Sequence, residues 1–424
     1  MKEHRVVVTG LGIISAIGND VPTFWNNLKN GVCGIETITE FDTSLLPVHI
    51  AAKIKDFDPL QYGMDKAFVR KQALFTQYGV AAAYQAMQDS GLRSEGEDAN
   101  IDPFRLGVYV GSGIGGFEIQ FKETQKIIED PSGQWISPLF IPSMISNIAA
   151  GHIAIKNNAK GPCINVVTAC ATSSHNLGEA YRALRFGYAD AIISGGCEYA
   201  SIPLGIAGFA NAKALSRSEN PKYASLPFNL NRGGFVMGDG GAMLVLETLE
   251  HAQERGAKIY AEIVGYGNTC DAYHSTAPRP DGTTQAQAMK LALQEAGYSK
   301  DDVLYINAHG TGTHLNDASE TQAYKLALGE DAYKAHITSI KSMTGHMLGA
   351  AGAAEAIATV LSLKEGIVTP TINLDTPDPE CDLNSTPTKA EKVACTLGIS
   401  DSLGFGGHNA CVAIRPSKAC WQRV

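Results

Sequence analysis

The sequence predicts a layered α/β protein made of two similar halves. Three observations carry this: short β-rich apolar runs alternate with helical patterns, those runs have few polar alternations, and one strand–turn–helix segment recurs later in the chain. Apolar strands without alternation are buried on both faces, which requires helices on both sides of a sheet. The composition allows this. Of 424 residues, 44% are hydrophobic and 18% charged, a globular and not a disordered balance. By length alone the chain holds about two to three average domains.

The strand-like runs, in order, are residues 5–9, 106–110, 164–167, 191–194, 242–246, 260–264, 304–306 and 411–414. The recurrence lays Thr168-Ala169-Cys170 over Thr344-Gly345-His346, each triplet opening a helix. Leu177, Ala180, Tyr181 and Leu184 follow the first at helical spacing, and Ala353, Ile357, Val360 and Leu361 follow the second. Glu179 then falls over Glu355, and Gly187 and Gly366 stand where the two helices end. A strand and a Gly265-Tyr266-Gly267 turn resemble residues 6–12, so a second unit begins near Lys258. The expected units are 1–257, carrying the cysteine, and 258–415, carrying two histidines. A charged, helix-like junction spans 249–258, and a tail, 416–424, is expected to fray. Residues 370–387, rich in proline, read as a long irregular loop.

Charge and hydropathy exclude several classes. The net charge of -9 argues against a broad nucleic-acid surface. No apolar run is long enough to span a bilayer, and the N-terminus runs directly into a strand pattern without a signal-peptide core. The nine cysteines are odd in number and lack paired metal spacing, so they read as reduced thiols of a cytoplasmic protein.

Cys170 has the most informative setting. A strand runs into a tight turn and then a helix of small residues, which puts Cys170 at a helix N-terminus. Free amides and the positive end of the helix dipole there favour thiolate over thiol and can bind an oxyanion. The other cysteines, Cys163, Cys197, Cys381 and Cys395 among them, read as ordinary structural thiols. His309, in Asn307-Ala308-His309-Gly310-Thr311-Gly312-Thr313, and His346, in Lys341-Ser342-Met343-Thr344-Gly345-His346, each lie at or just after a strand-like run among small residues, where a ring reaches a cleft. His4, His49, His251 and His336 lack such a setting. Gly111-Ser112-Gly113-Ile114-Gly115-Gly116 after a strand matches the dinucleotide fingerprint in outline, but no acidic residue ends a following strand at the required distance. His309 and His314 are on a loop and not on one helical face, which argues against zinc. From chemistry alone three classes stay open: acyl transfer through a Cys170 thioester, a Cys–His hydrolase and a nucleotide oxidoreductase. Two histidines suit enolate stabilisation, which only a carbon–carbon bond former needs.

The segment Val167-Thr168-Ala169-Cys170-Ala171-Thr172-Ser173-Ser174, the two histidine motifs and Gly404-Phe405-Gly406-Gly407-His408-Asn409 together resemble the elongating beta-ketoacyl-acyl-carrier-protein synthases, nearest the second elongating type of bacterial fatty-acid synthesis. The likeness runs in order from Val6 to Ile414. It implies a thiolase-like fold of two α/β halves in five α-β-α-β-α layers, a homodimer, and decarboxylative condensation of a Cys170-bound acyl group with malonyl-carrier. It implies that His309 and His346 stabilise the enolate and that the Cys170 and Phe405 amides form the oxyanion hole. At the substrate site, Lys341 would supply positive charge near His346 or hold Glu355 or Glu320 in place, Thr311 and Thr313 would hydrogen-bond the pantetheine arm, and Phe405 would gate the acyl pocket; Arg70, Lys71 and Lys213 would dock the acyl carrier protein, with Gln134 and Trp135 where some relatives are basic. No organic cofactor and no catalytic metal is implied. A structural monovalent cation at Asn307, Glu355 and Ser400 is, although Asp401 stands where relatives often have asparagine. A specialised polyketide ketosynthase has the same motifs.

Overall fold

The computed structural model describes residues 3–385 and 388–417. Ten strands form its main sheet: β1 (Val6–Ile14), β2 (Leu106–Gly111), β3 (Cys163–Ile164), β4 (Ala191–Glu198), β5 (Gly240–Thr248), β6 (Ala261–Cys270), β7 (Leu304–Asn307), β8 (His336–Thr338), β9 (Leu397–Gly404) and β10 (His408–Pro416). The helices that cover it are α1 (Leu74–Ser90), α2 (Ile148–Lys156), α3 (Thr172–Arg185), α4 (Thr283–Glu295), α5 (His314–Leu328) and α6 (Ala351–Glu365).

The duplication is written in the strand order. The first half runs β1-β5-β4-β2-β3 and the second β6-β10-β9-β7-β8. In both, the first two pairings are antiparallel and the last two parallel. The halves join where Val6, Val7 and Val8 pair with Ile263, Glu262 and Ala261. The helix Leu249–Glu254 links them in the chain, within the expected junction. Matching glycines explain the likeness of residues 6–12 to the start of the second unit. A Cβ on Gly10 or Gly12 would stand 2.1 or 2.0 Å from the carbonyl oxygens of Ala86 and Ala82, and one on Gly265 or Gly267 2.1 or 1.9 Å from those of Ala292 and Ala288. Each pair therefore lets a helix, α1 or α4, lie directly on the strand. Gly265-Tyr266-Gly267 is consequently not a turn: it lies inside β6.

Five layers follow from three hydrophobic cores. The central one joins Leu177 and Leu184 of α3 and Ile357 and Val360 of α6 to β1, β5, β6 and β10. An outer core packs α1 and α2 on β2, β4 and β5, and another packs α4 and α5 on β7, β9 and β10. Every residue from Ala351 to Leu363 of α6 is buried, as expected of a helix sandwiched between the two halves of the sheet. Gly366 ends it in the left-handed region at φ +64°, and Gly187, at φ +78°, follows the end of α3.

Two further expectations change. Residues 164–167 do not form a buried strand: β3 is Cys163–Ile164 on the sheet edge, with Ile164 and Val167 exposed. The recurrence is also three residues out of register. The turns that match are Ala169–Ala171 and Leu348–Ala350, whose first residues share an uncommon φ, +50° and +48°. Cys170 therefore corresponds to Gly349 and not to His346. The helix-ending glycines already carry this offset, 179 residues, whereas the triplet match skips the extra residues of the second turn. Residues 371–385 are mostly irregular, Pro387 lies outside the described residues, and β10 runs to Pro416, so of the expected tail only Lys418 onward is outside the described residues.

Candidate active site

Cys170 sits in a single tight turn ahead of α3. Ala169 before it holds a left-handed conformation that costs a non-glycine residue roughly 1–3 kcal/mol. Several contacts hold it there. The Thr168 amide donates to Thr172 Oγ1 at 2.9 Å, and Thr168 Oγ1 bonds His175 Nδ1 at 2.8 Å. Gly404, at the end of β9, lies so close that a Cβ there would stand 2.5 Å from the Thr168 carbonyl.

His309 follows β7 by two residues. Its amide and that of Gly310 donate to the Glu320 carboxylate of α5 at 2.6 and 2.8 Å, and Tyr324 Oη donates to the same group at 2.6 Å. Burial, the main cause, pushes Glu320 up to about 7. His346 follows the helix Lys341–Thr344; its amide donates to the Val236 carbonyl at 2.7 Å, and its carbonyl accepts from Gly238 at 2.8 Å. Its ring stands edge-on to Phe235, 5.0 Å between centroids, and to His309, 5.3 Å at 86°. Burial and the nearby Lys341 ammonium hold both imidazoles well below their usual range, so both are neutral at pH 7.

These three residues line one cavity of about 360 Å³, with Phe235, Thr311, Thr313 and Phe405. The hydroxyls of Thr311 and Thr313 bond each other at 3.0 Å. Phe405 packs 6.3 Å from Phe209. Lys341 is buried and paired with Glu355, so its charge reaches the histidines through space while its ammonium is held by that carboxylate.

The expectation of a resting thiolate does not hold. Burial pushes the Cys170 thiol up to about 12; Lys341 pulls it down, and Glu198 and Glu355 push it further up. Desolvation of a buried charge is worth several pKa units, whereas a helix terminus contributes about 0.3–2 kcal/mol. The resting sulfur is a thiol.

Three buried oxygens, Asn307 Oδ1, Glu355 Oε2 and Ser400 Oγ, have no hydrogen-bond partner among the described residues. Ser400 pairs with Asn307 across β9 and β7, and Asn307 Nδ2 donates to the Glu355 carbonyl at 3.2 Å. Such an oxygen set suits a hard monovalent cation. Burial and the Glu320 and Glu355 charges push Asp401 well above the usual carboxylate range, toward the neutral carboxyl that most resembles an amide. No cluster of three His, Cys, Asp or Glu side chains able to hold a metal occurs among the described residues.

Of the three basic residues named for docking, Lys213 is exposed and lines the cavity mouth. Arg70 and Lys71 are exposed at the end of the helix Lys66–Lys71 and away from the cavity lining. Trp135 is exposed. No helix among the described residues is long and apolar enough to cross a membrane.

The run 111–116 has its own occupant, which sequence reasoning missed. Glu198, at the end of β4, accepts from Ser112 Oγ at 2.7 Å and from the amides of Gly113 and Ile114 at 2.8 and 3.1 Å. The amides that a pyrophosphate would need are thus taken. Phe235, the ring against His346, was also missed; the only sequence signal for either is its place beside glycines.

A family description, the beta-ketoacyl synthase N-terminal domain, matches residues 3–252, and the corresponding C-terminal domain matches 260–375. The chain is 46% identical over 418 residues to the 3-oxoacyl-acyl-carrier-protein synthase 2 of Staphylococcus aureus, covering 99% of this chain and 100% of that protein. It is 47% identical over 416 residues to the Synechocystis enzyme of the same name, covering 98% and 99%. Among solved structures, a beta-ketoacyl synthase from Burkholderia phymatum superposes with TM-score 0.90 at 32% identity, over 98% of this chain and 100% of that one. A type II polyketide ketosynthase solved with its acyl-carrier protein and bound hexaketide gives 0.88 at 34%, over 98% and 100%. The duplicated strand order is the thiolase-like fold, and with a cysteine and two neutral histidines in one buried cavity, the chain belongs to the beta-ketoacyl synthase family.

Proposed function

We propose that the chain elongates fatty acids by two carbons, condensing an acyl group held on Cys170 with malonyl-acyl-carrier-protein to give 3-oxoacyl-carrier and carbon dioxide. The observation that carries this is the pair of buried, neutral imidazoles sharing a cavity with the cysteine. A neutral imidazole keeps one N–H to donate. Two of them can stabilise the oxygen of a malonyl thioester as the carboxylate leaves, whereas a hydrolase needs a single base.

In the first half-reaction Cys170 attacks the carrier thioester. Its proton leaves the sulfur as the carbonyl is attacked and ends on the departing pantetheine sulfur, so the step is proton-neutral overall and the thiolate forms only transiently. Thr311 and Thr313 hydrogen-bond the pantetheine arm, and Phe405 gates the acyl pocket. In the second, malonyl-carrier loses carbon dioxide, the carbanion attacks the Cys170 thioester, and the oxyanion accepts from the amides of Cys170 and Phe405. The released sulfur takes up one proton. Fatty-acid elongation is preferred over a specialised polyketide role because the fatty-acid relatives are the more similar in sequence.

The exposed edge strand β3, with Ile164 and Val167, supports a homodimer pairing at this edge. Arg70, Lys71 and Lys213 form the docking charges for the acidic carrier, in the cytoplasm. The three unpaired oxygens of Asn307, Glu355 and Ser400 would hold a monovalent cation that braces β7, β9 and α6. Intact-protein mass spectrometry with acyl-carrier tests the central assignment. An acyl adduct on the native chain and none on Cys170→Ser is expected; an adduct that maps to another cysteine refutes it.

A further inference from the structure

The two halves offer matching backbone amides in their helix-opening turns, Cys170 in Ala169–Ala171 and Gly349 in Leu348–Ala350. In the reaction proposed above, the Cys170 amide faces the substrate oxyanion. The Gly349 amide already has an anion: it donates to Glu198 Oε2 at 3.0 Å. Glu198 is fully buried and has four donors, the others being Ser112 Oγ and the Gly113 and Ile114 amides. The space is closed around it. A Cβ on Gly349 would stand 2.7 Å from Glu198 Oε2 and 2.6 Å from the Gly113 nitrogen, and one on Gly113 would stand 2.7 Å from the same carboxylate oxygen and 3.4 Å from the Ala169 carbonyl.

Both strained residues therefore adjoin backbone that this carboxylate holds. Leu348, at φ +48°, precedes the anchored Gly349 and follows His346 by two residues; Ala169, at φ +50°, abuts the anchored Gly113 and precedes Cys170. Strained turns persist only where their surroundings over-determine them.

We propose that Glu198 is a positioning residue that fills the second half's counterpart of the oxyanion hole from within, and so sets the spacing of Cys170 and His346. Its negative charge also acts on the Cys170 thiol, which it raises. This rests on the reading in which Cys170 is acylated and His346 serves the malonyl step; the Cys170→Ser adduct experiment tests that reading separately.

The test follows acyl-enzyme formation, carbon dioxide release and the pH dependence of Cys170 alkylation by iodoacetamide in Glu198→Gln. Acylation, which needs Cys170 but not its spacing from His346, should lose less than carbon dioxide release. Carbon dioxide release should fall about a hundredfold, the loss that a misplacement of about 1 Å produces. The alkylation midpoint should move down, because a negative charge is gone. In Glu198→Ala, added formate should restore part of the carbon dioxide release. An unchanged alkylation midpoint with equal losses in both half-reactions would show Glu198 to be only a folding residue and overturn the proposal. If neither variant folds, Ser112→Ala removes one of the four donors and keeps the charge. A smaller loss of carbon dioxide release with acylation retained supports the proposal, and a parent rate in both half-reactions overturns it.

Discussion

His309→Ala and His346→Ala separate a condensing enzyme from a Cys–His hydrolase. Each imidazole is buried and neutral, and the rings stand 5.3 Å apart and perpendicular, so two N–H groups can converge on one oxygen. Removing one donor to a developing oxyanion costs about 2.7–4 kcal/mol, roughly a hundred- to a thousandfold in rate. The same loss is expected from either histidine in decarboxylation and condensation. Acylation should suffer less, because the helix-terminal amides still favour the transient Cys170 thiolate and the step takes up no net proton. His346→Ala also loses an edge-on contact with Phe235, worth about 0.5–1.5 kcal/mol of stability, so its melting temperature should drop slightly more than its position alone suggests. The assay measures acyl-enzyme by intact mass and labelled carbon dioxide separately, in both variants. A second arm uses pH. With both pKa values well below 6.5, these rings stay neutral as pH rises from 6 to 8, and the decarboxylation rate should show no break there attributable to them. Normal carbon dioxide release from both variants would refute the mechanism. A loss of acylation in one variant with the other fully active would point to the hydrolase.

Three further outcomes are expected. Lys341→Ala leaves the Glu355 carboxylate buried without its cation and should cost about 3–5 kcal/mol in denaturant unfolding, largely recovered in Lys341→Ala with Glu355→Gln; an unchanged midpoint for the single variant would show the pair to be dispensable. Glu320 has its folded pKa raised to about 7 from 4.5, so its contribution to stability is full below about pH 4.5 and is lost as pH rises through 7. Glu320→Gln should therefore flatten the stability profile between those values, and an unaltered slope would contradict the burial argument. Arg70→Ala and Lys71→Ala should slow carrier-dependent acylation far more than acylation from a small thioester, mainly through association; equal losses would move these residues off the docking face.

Much of the candidate site was legible because it is written in local pattern. Cys170 at a strand–turn–helix junction, and two histidines among glycines and threonines after short strands, are short-range features. A buried strand or turn leaves its mark on its own residues. The duplication was visible through small-residue periodicity and helix-ending glycines, which respond to nearest-neighbour backbone geometry. Register was less legible. Between β8 and the turn before α6 lie nine residues, 339–347, against four, 165–168, between β3 and the turn before α3, and the triplet likeness hid the difference, because strain at Ala169 and Leu348 has no signature in residue type. Exposure of β3 was likewise hidden, since whether an apolar strand lies at an edge depends on the order in which strands pair, and β3 pairs with β2 at the end of the sheet. The sequence by itself determined the fold class and singled out Cys170, His309 and His346, which the fold brings to one cavity. Only the tertiary structure decided the protonation of the site and the occupant of the 111–116 loop. The thiol of Cys170, the neutrality of both imidazoles and the capture of Gly113, Ile114 and Gly349 by Glu198 all depend on burial and on charges brought from distant segments, and desolvation is a property of the packed whole.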